Sequence, residues 1–597
     1  MIVPQLKTIL KNIPHDWLGT TFKNNNLLGR ELFCKKLSAF LLSDLPINSG
    51  NLADIGNAED YLRVSTNLST IYELCLAEIN GLDVAQVFSF ASNTMGIIAV
   101  AKSTGALVHV YGQSEIFSSD QLSVLQGIGC KIVSHSGPAK PKTNQTDIII
   151  ALESVKGDSV VDAVLGDNVL YILNQNLIDS AKVLTIRKRM STPITTPMAL
   201  ERLHKLAQLE IATIKSVDQE QVSDFNAHLQ VLSGTDVDYN NTPVSFTAGL
   251  PALASLWTSL ISFGGADVLM ASTAYGGSSQ LTDILSLSNH KLRKHSFDIQ
   301  GKSIMIESIK QSLEKLSTTD LLPTTVLFCE IPTNPDMKVP DIKDLAVILQ
   351  NYQQKTQKKV LLLIDSTFAP NSKIMLQLRK LVPDLNVMVF LSMSKSVSRG
   401  LTTAGCLVAN HTQQGIELLS KIKQVASVLD TLAKPDQIKV LVENHLNVEK
   451  RCEDAYKVAS KAGHVLVDAV KQSTGLDMSL AFVKPSEAAQ GFTTSTFSFN
   501  LPVPKHSTPE INAALAQKFV DLLTDNKHFK PCVSFGQDNG LVYCTVPATS
   551  TQGVISEKDK QKQAVDGVQL VRLSFPPTCD EKVVYEHLEN SVKAIYE

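Results

Sequence analysis

Asp365 and Lys395, ~30 residues apart, are the residues whose types and setting point most clearly to chemistry. Asp365 closes the apolar run Val360-Leu361-Leu362-Leu363-Ile364. Lys395 follows a second run, Val387-Met388-Val389-Phe390-Leu391, through Ser392-Met393-Ser394. Short apolar runs bounded by turn or helical segments read as buried parallel strands. A carboxylate at one strand end and a lysine just past another suit a cofactor that needs an anion beside a ring nitrogen and an amine to form a Schiff base. That cofactor is pyridoxal 5'-phosphate. The carboxylate keeps the pyridine nitrogen protonated, so the ring accepts electrons from a substrate carbanion. The lysine is displaced by an amino acid and is then free to move protons. Ser392 and Ser394 offer hydroxyls to the phosphate. Either Asp365 or Lys395 alone would read as an ordinary strand-end aspartate or surface lysine; the surrounding segments carry the reading.

Those segments belong to a chain of 597 residues, which suggests about three or four domains. A hydrophobic content of 44% with 19% charged residues is that of a globular protein outside membranes. The net charge of −3, with no basic stripe, gives nucleic acid or an anionic membrane nothing to hold. No apolar run has membrane-spanning length, and the N-terminus lacks a signal-peptide core before Lys11 and Asp16. The nine cysteines show no CxxC pair or zinc spacing, and Cys75, Cys329 and Cys406 sit in apolar surroundings. They read as reduced thiols of a cytoplasmic protein without a metal site. HExxH, Walker A and GxGxxG are all missing.

Strand and helix signals alternate to about residue 190, as in an α/β layered domain. A fuller pass begins near residue 195 with the helical segment from Ala199 to Leu206. Phe90-Ala91-Ser92 answers Phe246-Thr247-Ala248, Tyr111-Gly112 answers Tyr275-Gly276, and Ala151-Leu152-Glu153 answers Phe328-Cys329-Glu330. The shared order suggests a partial internal duplication, although repeated strand–helix units are common to all α/β proteins. The first copy has Asn174 where the second has Asp365, and it stops before any lysine segment, so it reads as a dead cofactor site.

Glu330-Ile331-Pro332-Thr333-Asn334-Pro335 and Asp365-Ser366-Thr367-Phe368 bring out a family likeness. Over roughly residues 195 to 597 the chain resembles the Cys/Met-metabolism family of pyridoxal-phosphate enzymes, which holds cystathionine gamma-synthases, gamma- and beta-lyases and methionine gamma-lyases. The family's ESPTNP and DNTF look like those two stretches, and its S-x-T-K like Ser392 to Lys395. Its SGM phosphate loop is similar to Ala248-Gly249-Leu250, its YGGT to Tyr275-Gly276-Gly277-Ser278, and its VRLS to Val571-Arg572-Leu573-Ser574. The resemblance implies that Gly249 and Leu250 offer N–H groups to the phosphate at a helix start. It implies that Tyr275 stacks on the ring and transfers protons, that Asn334 bonds the ring hydroxyl, and that Arg572 grips the substrate carboxylate.

Some positions depart from the family. The Tyr-x-Arg clamp, which reaches a neighbouring subunit's phosphate, appears only as Tyr61 and Arg63 in the first copy, so we expect it to act across a dimer interface. Val533-Ser534-Phe535-Gly536 looks like the family's SLG and places Ser534 on the substrate side. Gly540 and Gln552 stand where a Ser and a His are common. The implied architecture is fold-type I, with a degenerate copy at 1–194, a cofactor-binding domain at 195–430 and a small α/β domain at 431–597. The implied activity is γ-replacement or elimination on homoserine-derived or sulfur amino acids, cystathionine gamma-synthase-like, in a homo-oligomer (dimer or tetramer). A gamma-lyase is the alternative within the class. A non-catalytic assembly or regulatory module is the alternative outside it, and the colour of bound cofactor separates the two.

Overall fold

Three sheets organise the chain in a computed structural model that describes residues 2–18, 27–59, 61–152, 161–211, 217–287, 289–299, 305–503, 508–532, 535–536, 538, 540–545 and 571–597. The first contains β1 (Val87–Ser89), β2 (Leu107–Gly112), β3 (Lys131–Ser136), β4 (Ile148–Leu152), β5 (Ala163–Gly166) and β6 (Val169–Ile172), in the order β1-β6-β5-β4-β2-β3. The second contains β7 (Val244–Phe246), β8 (Ala266–Ala271), β9 (Leu292–Phe297), β10 (Thr324–Glu330), β11 (Lys359–Asp365), β12 (Asn386–Ser392) and β13 (Gly405–Ala409), in the order β7-β13-β12-β11-β10-β8-β9. β8 to β12 run parallel, and β13 is antiparallel to both β12 and β7. Val326–Cys329 of β10 and Val360–Ile364 of β11 are apolar on both faces and buried, as helices on either side of a parallel sheet require.

Among the described residues, the first sheet repeats this order with one strand fewer. Its last two strands are antiparallel in the same sense, β5 to β6 and β6 to β1. Equivalent hydrogen bonds close both sheets: Ala91 N–H donates to the Thr192 carbonyl at 2.9 Å, and Thr247 N–H to the Thr431 carbonyl at 2.9 Å. The topology corrects the pairing of Asn174 with Asp365. Asn174 follows β6, the place that Asn410 holds after β13, and its Nδ2 donates to Asp162 at 2.9 Å. β4 pairs directly with β5, a strand that also pairs antiparallel with β6, so among the described residues the first sheet has no separate strand for an Asp365 counterpart.

A single apolar core joins the two sheets. Phe88, Phe90 and Val100 of the first half and Trp257, Ile261 and Ile422 of the second belong to it. Helix Gly249–Ser262 is buried from Gly249 to Ile261 because both halves pack on it. Helices Ile2–Lys11, Arg30–Leu41 and Asn67–Asn80 form a second core, and helix Thr196–Leu206 joins it through Ala199 and Leu203. That helix therefore packs on the N-terminal half. The third sheet contains β14 (Leu480–Ala481), β15 (Thr496–Phe499), β16 (Phe529–Pro531), β17 (Val542–Thr545) and β18 (Val571–Ser574), in the order β14-β15-β18-β17-β16. It shares its core with helices Val448–Thr474 and Glu581–Tyr596.

A buried ion cluster anchors the N-terminal helices to the first sheet. Glu73 accepts from Arg30 Nε at 2.7 Å, from Arg187 Nη1 at 2.6 Å, and from the Ser89 amide and hydroxyl at 2.8 and 2.7 Å. Both guanidiniums lie over the Phe88 ring. Burial pushes the Glu73 carboxyl up, but the two arginines and the Ser89 bonds outweigh it and hold the group at about 2. Removing one member leaves buried charge uncompensated, so Glu73→Ala should lower unfolding free energy by about 3–5 kcal/mol in chemical denaturation. A depressed carboxyl stabilises the fold above its ordinary value. The wild-type contribution should therefore fade as pH falls from 4.5 toward about 2, and the variant should lack that component of acid sensitivity.

Candidate active site

The register of the second sheet sets its polar residues side by side. Glu330 stands opposite Asp365, Asp365 opposite Phe390, and Ser392 opposite Gly405. The carboxyl ends of β10, β11 and β12 thus open into one cleft, where ligands of α/β sheets characteristically bind. Gly249, Leu250, Tyr275, Asn334, Asp365, Ser392, Lys395 and Arg572 line it, together with Tyr61 and Arg63 from the N-terminal half.

Its floor is the start of helix Gly249–Ser262. No side chain caps this helix, and the Gly249 and Leu250 N–H groups have no acceptor within it. Gly249 sits in a crowded place, since a Cβ there would lie 3.0 Å from the Phe390 ring. A Cβ on Gly405 would lie 2.6 Å from the Gly249 Cα. Ala248 is buried behind the helix start and does not line the cleft. Beside the helix start, the Ser278 hydroxyl is buried, faces the cleft and has no hydrogen-bond partner among the described residues.

Lys395 sits in the turn after β12. Ser394 fixes this turn, because its hydroxyl donates to the Ala404 carbonyl at 3.1 Å and accepts from the Ala404 amide at 3.0 Å. Ser394 also bonds the Tyr61 phenol, so it braces the loop and does not line the cleft, unlike Ser392. The Lys395 amine lies 4.7 Å from the Tyr61 ring centroid and 4.9 Å from that of Phe535. Tyr61 and Arg63 belong to a turn closed by Val64 N–H to the Tyr61 carbonyl at 2.9 Å. The capping box of Thr66 and Ser69 then starts helix Asn67–Asn80. Arg63 Nη1 donates to the Lys188 carbonyl and its Nη2 to the Tyr275 hydroxyl at 3.3 Å. Burial pushes the Tyr61 phenol up, but Lys395, Arg63 and the bonds from Ser394 and Arg63 bring it below the ordinary value. The clamp residues therefore reach the cleft within their own chain, which corrects the expectation of a dimer interface.

On the other side, Arg572 Nη2 donates to Asn334 Oδ1 at 2.6 Å, so Asn334 holds the guanidinium in this structure. Burial lowers Arg572 to about 10. Phe368 and Phe535 stack at 4.4 Å with an interplanar angle of 2°. Asp365 accepts from the Thr367 amide at 2.9 Å, and the Thr367 hydroxyl accepts from Ser392 N–H at 2.9 Å. Glu330 accepts from the Tyr275 amide at 2.6 Å. Burial raises both carboxyls above their ordinary values, and Asp365 raises Glu330 further.

The Cys/Met metabolism PLP-dependent enzyme family matches residues 235–576. The chain belongs to this family. Its members depend on pyridoxal 5'-phosphate, and the mixed α/β architecture is that of fold-type I. No curated protein sequence matches the chain. Among solved structures, cystathionine gamma synthase from Xanthomonas oryzae pv. oryzae is 18% identical, with 63% of this chain and 86% of that one covered and a TM-score of 0.48. The metB protein of Corynebacterium glutamicum is 17% identical, with 63% and 85% covered and a TM-score of 0.47. Cystathionine gamma-lyase from Lactobacillus plantarum is 19% identical, with 62% and 87% covered and a TM-score of 0.47.

The cleft of this Cys/Met metabolism enzyme fits the cofactor at both ends. An uncapped helix N-terminus, an orphaned hydroxyl and the Arg63 guanidinium suit a phosphate. Two crowded carboxyls with raised pKa values suit a cationic ring nitrogen, which would lower both. Ser534 and Gln552 lie outside the described residues, as does Glu153. The sequence reading did not assign Ser278, Thr367 or the Glu330 carboxylate to the site. Glu330 and Thr367 lie within stretches quoted for the family likeness, but only the folded strand ends give them partners. Among the described residues no group of three or more His, Cys, Asp or Glu could hold a metal, and no helix is long and apolar enough to cross a membrane.

Proposed function

We propose that the chain catalyses γ-replacement on a homoserine-derived amino acid, in the manner of a cystathionine gamma-synthase. The observation that carries this reading is the convergence in one cleft of Lys395, Asp365 and the uncapped start of helix Gly249–Ser262. Gly249, Leu250, Ser278, Ser392, Tyr61 and Arg63 would hold the phosphate end, and Asp365 would hold the ring nitrogen. When bound, pyridoxal 5'-phosphate supplies an aldehyde for amine attachment and a ring that spreads the electrons left by a departing Cα proton. The Lys395 amine takes that proton and returns it. The Tyr275 hydroxyl, which accepts from Arg63, provides a second proton position on the same side. Arg572, set by Asn334, binds the substrate α-carboxylate. The stacked Phe368 and Phe535 rings keep water from the reacting carbon.

The division at 1–194, 195–430 and 431–597 remains our proposal for the domains, with helix Thr196–Leu206 docked on the first of them. All nine cysteines are free, which supports a reducing, cytoplasmic setting. Product analysis tests the reaction. Cofactor-loaded protein given O-succinylhomoserine and cysteine should release succinate and form cystathionine. If it instead converts cystathionine and water to cysteine, ammonia and 2-oxobutyrate, the enzyme is a gamma-lyase. Cofactor binding with neither reaction would reject catalysis on these substrates in favour of an assembly or regulatory role.

A further inference from the structure

The residues that reach the cleft from outside the second half come from a half that has no such cleft among its described residues. In the second sheet, β12 and β13 are separated by the twelve-residue stretch 393–404 that carries Lys395. In the first, β5 and β6 are joined by Asp167-Asn168 alone, both at positive φ (48° and 65°). This is the two-residue hairpin geometry in which Asp and Asn are tolerated. No position exists there for a lysine.

The two halves nevertheless share a helix packing and are bonded to each other. Helix Met95–Thr104 packs on Ser180–Met190 in the first half as Gly249–Ser262 packs on Gln413–Leu429 in the second. The start of the former also bonds the end of the latter half's helix. Ser92 Oγ donates to the Leu429 carbonyl at 3.0 Å, Thr94 Oγ1 to the Val428 carbonyl at 2.9 Å, and Asn93 N–H to Asp430 Oδ2 at 2.6 Å.

The clamp, in contrast, is one-sided. Tyr61 and Arg63 precede helix Asn67–Asn80, the last helix before the first sheet, and they enter the second half's cleft. In the second half the helix before the sheet is Gln219–Ser233, and the ten residues ahead of it, Leu209 to Asp218, include neither tyrosine nor arginine. A clamp persists only where a cleft remains to receive it. The first half also fixes Arg63 in place through the Lys188 carbonyl, and Arg189 Nε of the same half donates to Gln280 Oε1 of the second at 2.5 Å.

We infer that the chain is a fused pseudo-dimer, in which the N-terminal half has lost its own site and serves as the built-in second subunit that completes the one cofactor site in cis. This rests on the functional reading above, because it presumes that the cleft holds pyridoxal 5'-phosphate. It makes Tyr61 and Arg63 cofactor-holding residues of their own chain, sets one cofactor per chain, and makes the site independent of self-association.

Complementation between two full-length variants tests it. Arg63→Ala should weaken pyridoxal 5'-phosphate binding about 10- to 100-fold, the range for losing a charged hydrogen bond. Lys395→Ala should remove the visible band of lysine-attached cofactor. Co-expressed and purified together, the two chains should give a visible-band titration that is the sum of the separate ones, with no tight sites regained. If clamps are exchanged between chains, hybrid sites pairing one chain's Lys395 with the other's Arg63 would restore a tight fraction, which overturns the proposal. Wild-type affinity in Arg63→Ala would also overturn it. Tyr61→Phe, checked by far-ultraviolet circular dichroism, replaces Arg63→Ala if that variant does not fold. Wild-type protein that takes up no cofactor would sink the functional reading itself, an outcome distinct from tight wild-type binding with complementation.

Discussion

Lys395→Ala should lower kcat/KM by about 10³-fold or more, since it removes both the attachment point of the cofactor and the general base. The surroundings of Lys395 make this loss specific. Its loop is held by Ser394 on both polar groups of Ala404 and by Arg451 Nη2 on the Ser396 carbonyl at 2.8 Å. None of these bonds uses the lysine side chain, so the loop should keep its course in the variant. The amine itself lies between the rings of Tyr61 and Phe535. The phosphate-binding end should therefore survive, and the variant should still bind the cofactor without covalent attachment. A Lys395→Ala protein with near-native turnover would show that another group is the base.

The second large effect is expected at Asp365. Asp365→Asn keeps an oxygen for the Thr367 amide but removes the charge opposite the ring nitrogen. Losing one preorganised electrostatic partner typically costs about 10²–10³-fold in kcat, and the loss should fall on kcat with little change in KM. Stability should move the other way. Burial raises the Asp365 carboxyl above its ordinary value, so its charged form burdens the cofactor-free fold as pH rises through and above 3.8. The amide relieves that burden, and cofactor-free Asp365→Asn should be at least as stable as wild type at neutral pH. Equal losses of stability and activity would mark Asp365 as a structural residue only.

The sequence made legible what local pattern encodes. Continuous apolar runs ending in Asp365 and Ser392 are visible as buried strands because a parallel sheet covered on both faces leaves no alternation. The glycines at 249 and 277 mark close approaches, and a Cβ at Gly277 would lie 2.5 Å from the Tyr275 ring. Relations set by topology were harder to see. Asn174 looks like the partner of Asp365 because residue order alone does not reveal that the described residues form one strand fewer between β4 and β6. Arg63 meets Tyr275 from 212 positions away, so whether it reaches its own cleft or another chain's depends on how the halves dock. Ser394 sits in the lysine motif, but its hydroxyl bonds the backbone of Ala404 and the Tyr61 phenol. Ser278 gave no distinct signal until its burial beside the helix start left it unpartnered.

The most direct measurement is chemical. The protein would be saturated with pyridoxal 5'-phosphate, reduced with borohydride, digested and analysed by mass spectrometry. The account predicts a stoichiometric pyridoxyl adduct on the peptide containing Lys395 and on no other lysine. An unmodified Lys395 peptide, or an adduct spread over surface lysines, would contradict it.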